Sequence, residues 1–238
     1  MKRLISILFF IFISFHVVIA QEPTDGVIKF MNIPIDGTEE NMKQQLEEKG
    51  FKYNIFDGCY QGQFNGKSVS VLISTNHNLV DRICVIYPDM PETVIKSEYN
   101  RLLEQFQNNN KYLSLPTNKG IPDVENIKYE MSLHNKIYSC GFLYLSPDLF
   151  SEDERSCLRN HVEQTLDSPG SSLGDISPEI MDCFSQREND ILPEDKLLNL
   201  FAHIRDGNVF FVLNENYGNY RIVLYYDNMV NRPHGEDL

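Results

Sequence analysis

The sequence predicts an α+β fold: an antiparallel meander sheet with helices packed on one face. Three observations carry this reading. Asn65-Gly66, the strongest short hairpin signal, separates strand-like runs at 60–64 and 68–74. Val69, Val71 and Ile73 alternate with Ser68, Ser70 and Leu72, as in a half-buried strand. Between the strand runs, Ile95, Tyr99, Leu102 and Phe106 recur at spacings of four, three and four, which is one face of a helix.

Taken in order, a short strand at 27–31 leads into Asp36-Gly37-Thr38, where Asp36 or Thr38 can cap the next helix. Glu39 and Glu40 suit its positive N-terminal end, Met42 and Leu46 form a thin apolar stripe, and Gly50 closes it. Residues 75–78 turn the chain from the second strand of the hairpin into a third at 79–87. Pro91 opens the Ile95 helix and Asn108-Asn109-Asn110 stops it. A second hairpin is expected at 127–133 and 136–145, turning at His134-Asn135. From 151 to 204 the chain reads as helical. Ser151 and Glu154 form a capping box, and Leu158, Val162 and Leu166 form a stripe. A Ser/Pro/Gly-rich loop spans 167–178, and Leu197, Leu198, Phe201 and Ile204 mark a last helix opened by Pro193. The final hairpin pairs 209–213 with 220–226 and puts Tyr220, Ile222, Leu224 and Tyr226 on one face.

The chain begins with Lys2 and Arg3, an apolar run over 4–19, and Ala20 ahead of Gln21, the layout of a cleaved secretory signal peptide. The run is shorter than the roughly 20 residues of a spanning helix. The reading is therefore a signal at 1–20, an N-terminal α+β module at 21–146, and a helical segment with a C-terminal hairpin at 147–238. The mature protein is expected in the periplasm or outside the cell, with no stable membrane insertion. Removing Lys2 and Arg3 leaves 19 basic against 34 acidic residues, a net charge of −15. Such a surface repels phosphate backbones and anionic lipid, so nucleic acid is excluded as a partner. Export permits disulfides among Cys59, Cys84, Cys140, Cys157 and Cys183, and five thiols allow 15 two-bridge arrangements. Buried unpaired cysteines are the equal alternative.

The last hairpin echoes the earlier one. Arg82, Tyr87 and Met90 stand at the same spacings as Arg221, Tyr226 and Met229, with Val71-Leu72 matched by Val212-Leu213. Either two amphipathic hairpins are alike by chance, or the chain is two related modules in tandem.

No catalytic, cofactor-binding or metal-binding residue is assigned. Cys157 and His161, four apart near Glu154, could reach one metal, but an ordinary helix explains them better. Cys140 with His134 or His161 could be drawn as a thiol and base, yet Cys140 lies inside an apolar run where thiols are inert. Asp227, Asn228, Asn231, Glu236 and Asp237 gather oxygens without the spacing of a calcium loop, so an acidic tail is preferred. Asp36-Gly37 is explained by a capped turn. There is no Gly-rich phosphate loop, no Gly-x-Ser-x-Gly and no His-Glu-x-x-His. Tyr217, Tyr220, Tyr225 and Tyr226 could give a contact patch, although cross-strand packing is the plainer use.

The stretch from Phe30-Met31-Asn32-Ile33-Pro34-Ile35-Asp36-Gly37-Thr38, through Lys49-Gly50-Phe51-Lys52-Tyr53, to Gly62-Gln63-Phe64-Asn65-Gly66 resembles exported proteins of Bacteroides-type gut bacteria, as does the closing Tyr225-Tyr226-Asp227-Asn228. The resemblance covers 27–112 and 207–238 and implies modules similar to those of β-lactamase-inhibitor proteins. It implies protein binding or envelope assembly and no reaction. The expected function is a non-enzymatic binding or accessory module of the cell envelope whose partner is another envelope or secreted protein. A small secreted hydrolase and a self-assembling structural protein are the alternatives.

Overall fold

The computed structural model describes residues 26–166, 183, 204 and 206–233, with side chains of the last helix described as far as 160. Among these residues are four helices, a two-stranded sheet and an eight-stranded sheet. The α+β class and the antiparallel sheet read from the sequence are both observed.

Strands β1 (Lys29–Phe30) and β2 (Ile33–Pro34) form the small ribbon. Helix α1 (Glu39–Glu48) follows, capped by the Thr38 hydroxyl, which accepts the Asn41 N–H at 3.3 Å. Met42 and Leu46 are its buried face, and Gly50 ends it at φ +89°. Strands β3 (Lys52–Asn54), β4 (Cys59–Phe64), β5 (Lys67–Asn76) and β6 (Leu79–Ile86) then run as a meander. Their tight turns at Asn65-Gly66 and His77-Asn78 carry two positive φ angles each, the twist that two-residue hairpins require. Gly62 has no substitute: the Phe51 ring lies 2.4 Å from where a Cβ would stand.

Helix α2 (Glu92–Gln107) buries Ile95, Tyr99, Leu102 and Phe106, as its spacing predicts. The short strand β7 (Tyr112–Ser114) pairs with β8 (Ser139–Tyr144). Between them the predicted strand at 127–133 is instead helix α3 (Ile127–Leu133). The reason is local. Asn126 caps the helix by accepting the Tyr129 N–H at 2.8 Å, and only Ile127 is buried, so no alternating face exists to pair. His134-Asn135 is the helix stop, Asn135 lying at φ +50°, and not a hairpin turn. Helix α4 (Glu152–Leu166) opens with the predicted capping box. The Ser151 N–H donates to Glu154 Oε2 at 2.7 Å, and the Glu154 N–H to Ser151 Oγ at 3.3 Å. The predicted loop at 167–178, the Pro193 helix with Leu197, Leu198 and Phe201, and the side chains of His161, Val162 and Leu166 lie outside the described residues. Strands β9 (Gly207–Asn216) and β10 (Asn219–Asn228) make the last hairpin.

The sheet order is β3-β4-β5-β6-β10-β9-β8-β7. The two echoing hairpins are therefore neighbours at its centre. Val85 of β6 and Leu224 of β10, which the echo aligns, are direct register partners. One sheet face carries Val71, Val85, Leu224, Phe211 and Phe142, covered by α1 and α2 in the main core. On the other face a smaller cluster forms where Leu113 and Leu143 of β7 and β8 meet Leu145, Phe150, Leu158, Cys183 and Ile204. A disulfide between Cys157 and Cys183, Cα atoms 5.7 Å apart, joins α4 to the chain returning toward β9. Cys59, Cys84 and Cys140 are free thiols.

Titration of the denatured, unreduced protein should count three thiols, rising to five on reduction. Five before reduction would refute the bridge. Replacing Cys157 and Cys183 together by Ser should lower the unfolding free energy by about 3.5 kcal/mol, the value for a loop of this length, measured by urea denaturation.

Candidate functional site

Strand alternation sends every second side chain of the sheet to the face opposite α1 and α2. Across the middle of that face the register aligns rows of side chains. Leu72, Cys84, Tyr225 and Phe210 form one row, running from β5 through β6 and β10 to β9. Beside it lie Ser70, Ile86, Val223 and Val212. These are central strands, yet Leu72 is 39% exposed, and Cys84, Ile86, Phe210, Val212 and Tyr225 are only half-buried. Among the described residues, the second core covers the β7–β8 end of this face and leaves this apolar middle partly exposed.

Charged pairs bracket the apolar rows. Asp227 is 2% exposed and receives the Arg82 guanidinium on both oxygens, at 2.5 and 2.8 Å, with Arg232 at 3.2 Å. Hydrogen bonding to Asp227 raises the Arg82 pKa against the opposing effect of burial, so the guanidinium stays charged. That guanidinium also lies over the Tyr225 ring at 4.9 Å and the Phe210 ring at 5.6 Å, and the two rings stack at 4.6 Å. On the opposite side Asp89 accepts Arg221 at 2.7 and 3.1 Å and the Asn216 amide at 2.7 Å. Burial pushes the Asp89 carboxyl up, but Arg221 and Asn216 outweigh it and hold the pKa below the usual range. A cleft of about 810 Å³ includes Gln61, Gln63, Ser70, Ile86, Asp89 and Arg221 in its lining.

The arrangement suits recognition. Its aromatic rings are held by stacking, its arginines are held by carboxylates, and the middle is apolar, a combination enriched in protein interfaces and their hot spots.

The structure separates the residues that the sequence offered as chemical pairs. The Cys157 sulfur is bonded to Cys183, so it is no thiolate ligand for a metal with His161. The Cys140 thiol is buried, lies 3.2 Å from the Tyr99 hydroxyl, and is pushed above its ordinary pKa by burial, while exposed His134 pairs with Glu130 at 2.8 Å. Asp227 is occupied by two guanidinium groups. The Asn228 amide donates to the Ile35 carbonyl at 2.8 Å, and the Asn231 amide to Asp36 and the Val80 carbonyl. These groups stitch the chain after β10 to the turn at Asp36-Gly37, and Glu236 and Asp237 lie outside the described residues. Among the described residues no three His, Cys, Asp or Glu side chains gather as a metal would need. The tyrosines divide: Tyr220 and Tyr226 are core, Tyr225 is on the open face, and Tyr217 is 98% exposed at the hairpin tip.

Sequence reasoning missed Leu72, Arg82, Cys84, Ile86, Phe210 and Val212 as members of one surface. The available signal was β10 itself, where Ile222, Val223, Leu224, Tyr225 and Tyr226 are apolar without alternation, marking a strand with apolar surroundings on both faces. No family model, curated protein or solved structure matches this chain.

Burial pushes the Cys84 thiol from its ordinary value of 9.0 up to about 11, Arg82 lowering it and Asp227 raising it by smaller amounts. Its pKa is raised in the folded state, so its contribution to stability is complete below pH 9 and is lost as pH rises through about 11. Iodoacetamide should therefore alkylate Cys84 slowly at pH 8 in the folded protein and faster in urea. Equal rates would contradict the burial.

Proposed function

We propose that this protein is an exported, non-enzymatic binding module of the cell envelope that takes a protein partner on the open middle of its central sheet. The observation that carries the reading is the Arg82–Tyr225–Phe210 stack set beside the half-buried row of Leu72, Cys84, Ile86 and Val212. The described residues leave this apolar surface partly exposed at the centre of the largest sheet, and such surfaces mark interaction sites. The disulfide supports an oxidising compartment, in agreement with the signal-like start of the chain. The resemblance to exported proteins with inhibitor-like modules supports the same assignment, and the side-by-side central hairpins support descent from two related units. The protein carries a net charge of −13, yet Arg82, Arg221 and Arg232 outnumber Asp89 and Asp227 on and around this face. Its partner should accordingly present a neutral to acidic surface.

Two measurements test the proposal. Intact-mass analysis of the protein from its host should find a mature chain beginning at Gln21, and a retained N-terminus would remove the export assignment. Crosslinking in the host, followed by immunoprecipitation, should recover a reproducible partner with the wild type. Phe210→Ser combined with Leu72→Asp should weaken that capture by roughly a hundredfold, the effect of losing a hot spot of about 3 kcal/mol. Undiminished capture by a folded double variant would place the interface elsewhere.

A further inference from the structure

The β3–β4 connection exposes Ile55 and Phe56 side by side, 76% and 95% accessible, next to Tyr53 at 53%. Single exposed apolar residues need no explanation, but adjacent ones at the apex of an ordered turn do. This turn is ordered by its own polar groups. Asn54 Oδ1 accepts the Phe56 N–H at 2.9 Å, and the Asn54 carbonyl accepts the Gly58 N–H at 2.9 Å. Asp57 Oδ2 accepts the Asn54 amide at 2.6 Å and the Gln61 amide at 2.8 Å. Gly58 supplies the left-handed residue at φ +64°, and β3–β4 pairing closes the base at Asn54 and Cys59. Every one of these bonds is made by Asn54, Asp57, Gln61 or backbone. The Ile55 and Phe56 side chains make none of these bonds, and any small polar pair would serve the turn at lower solvation cost.

We propose that the turn at 54–58 is a preorganised insertion finger, whose Ile55 and Phe56 side chains fill an apolar pocket on a partner protein. Rigidity before binding removes the ordering cost that a flexible loop would carry, and a buried Phe is a strong anchor. The partner is a protein and not a bilayer because Asp57 stands in the turn and the chain as a whole is acidic. Asp57 lies within the turn, and near Tyr60, whose ring packs 5.2 Å from that of Tyr53, burial raises the pKa most, Glu47 and Glu40 raise it further and Lys43, itself paired with Glu39, opposes them. With a net charge of −13 over the chain, approach to anionic lipid is unfavourable, whereas a protein pocket rimmed by Lys or Arg is complementary. The finger lies on the β3 edge of the sheet, so it extends the proposed binding function to a contact that does not depend on the open face.

The test places a photo-reactive phenylalanine analogue at position 56 of the full chain in its host, with the same analogue at the equally exposed Val124 as control. The expected result is one protein adduct at 56 and none at 124. The adduct should fall roughly tenfold or more when Ile55 is replaced by Ser, and its crosslinked peptide should be apolar and flanked by Lys or Arg. An Ile55→Ser variant with unchanged melting temperature shows that folding is intact. Labelling at 56 no stronger than at 124 would overturn the proposal. So would an adduct only between copies of this chain, or flotation with phosphatidylcholine and phosphatidylserine vesicles that Phe56→Ser abolishes. Because Phe210→Ser leaves the turn unaltered, loss of capture in that variant together with retained crosslinking at 56 separates failure of one contact from failure of the other.

Discussion

The pairing of β6 with β10 is the contact on which the rest of the structure depends. It joins Val85 to Leu224 and Arg82 to Asp227, residues far apart in the chain, and turns two four-stranded pieces into one continuous sheet. Without it, the Arg82 guanidinium would lose its carboxylate and Asp227 would be a buried charge with only Arg232 beside it. The seam also sets the open face. The rows from Leu72 to Phe210 and from Ser70 to Val212 exist only because the registers of β5, β6, β10 and β9 are locked in sequence. The bonds from Asn228 to Ile35 and from Asn231 to Asp36 and Val80 then fasten the end of β10 to the first turns of the fold.

A sheet with apolar side chains on both faces has to be covered twice or used. Among the described residues, the main core lies against one face, and the second core lies against the end of the other face formed by β7 and β8. Both cysteines of the disulfide belong to that second cluster, Cys183 buried and Cys157 partly buried against it, so the bridge holds α4 and Cys183 together within it. The middle of that face keeps its arginines in place through Asp227 and Asp89, so their positions are fixed within the chain itself.

Much of the fold was legible. Asn65-Gly66 and the alternation after it located β4 and β5, the spacing of Ile95 to Phe106 located α2, and Ser151 with Glu154 located the start of α4. What failed did so for identifiable reasons. Ile127 to Leu133 holds one buried residue, and with so little apolar pattern the Asn126 cap decides the conformation. Strands β3 and β7 are three residues long, too short to show any period, and take their form from their neighbours. The single Cys157–Cys183 bridge, with three thiols left free, is none of the fifteen two-bridge arrangements, because sequence does not say which thiols approach each other. The open face was the least visible part. Its members come from four strands, and only strand order and register reveal that Leu72, Cys84, Tyr225 and Phe210 are in one line.

The position of the seam also governs how the molecule is assembled as its chain is made. Within the large sheet β3 to β6 emerge first and leave the inner edge of β6 bare, and the strand that covers it, β10, is the last of the described strands. Hairpins close within microseconds, but this edge stays unpaired until the last strand has been synthesised. For that interval the half-finished sheet presents a ready template for a neighbouring chain. Keeping nascent copies apart is thus a cost built into the topology, and the acidic composition, by making them repel, meets it.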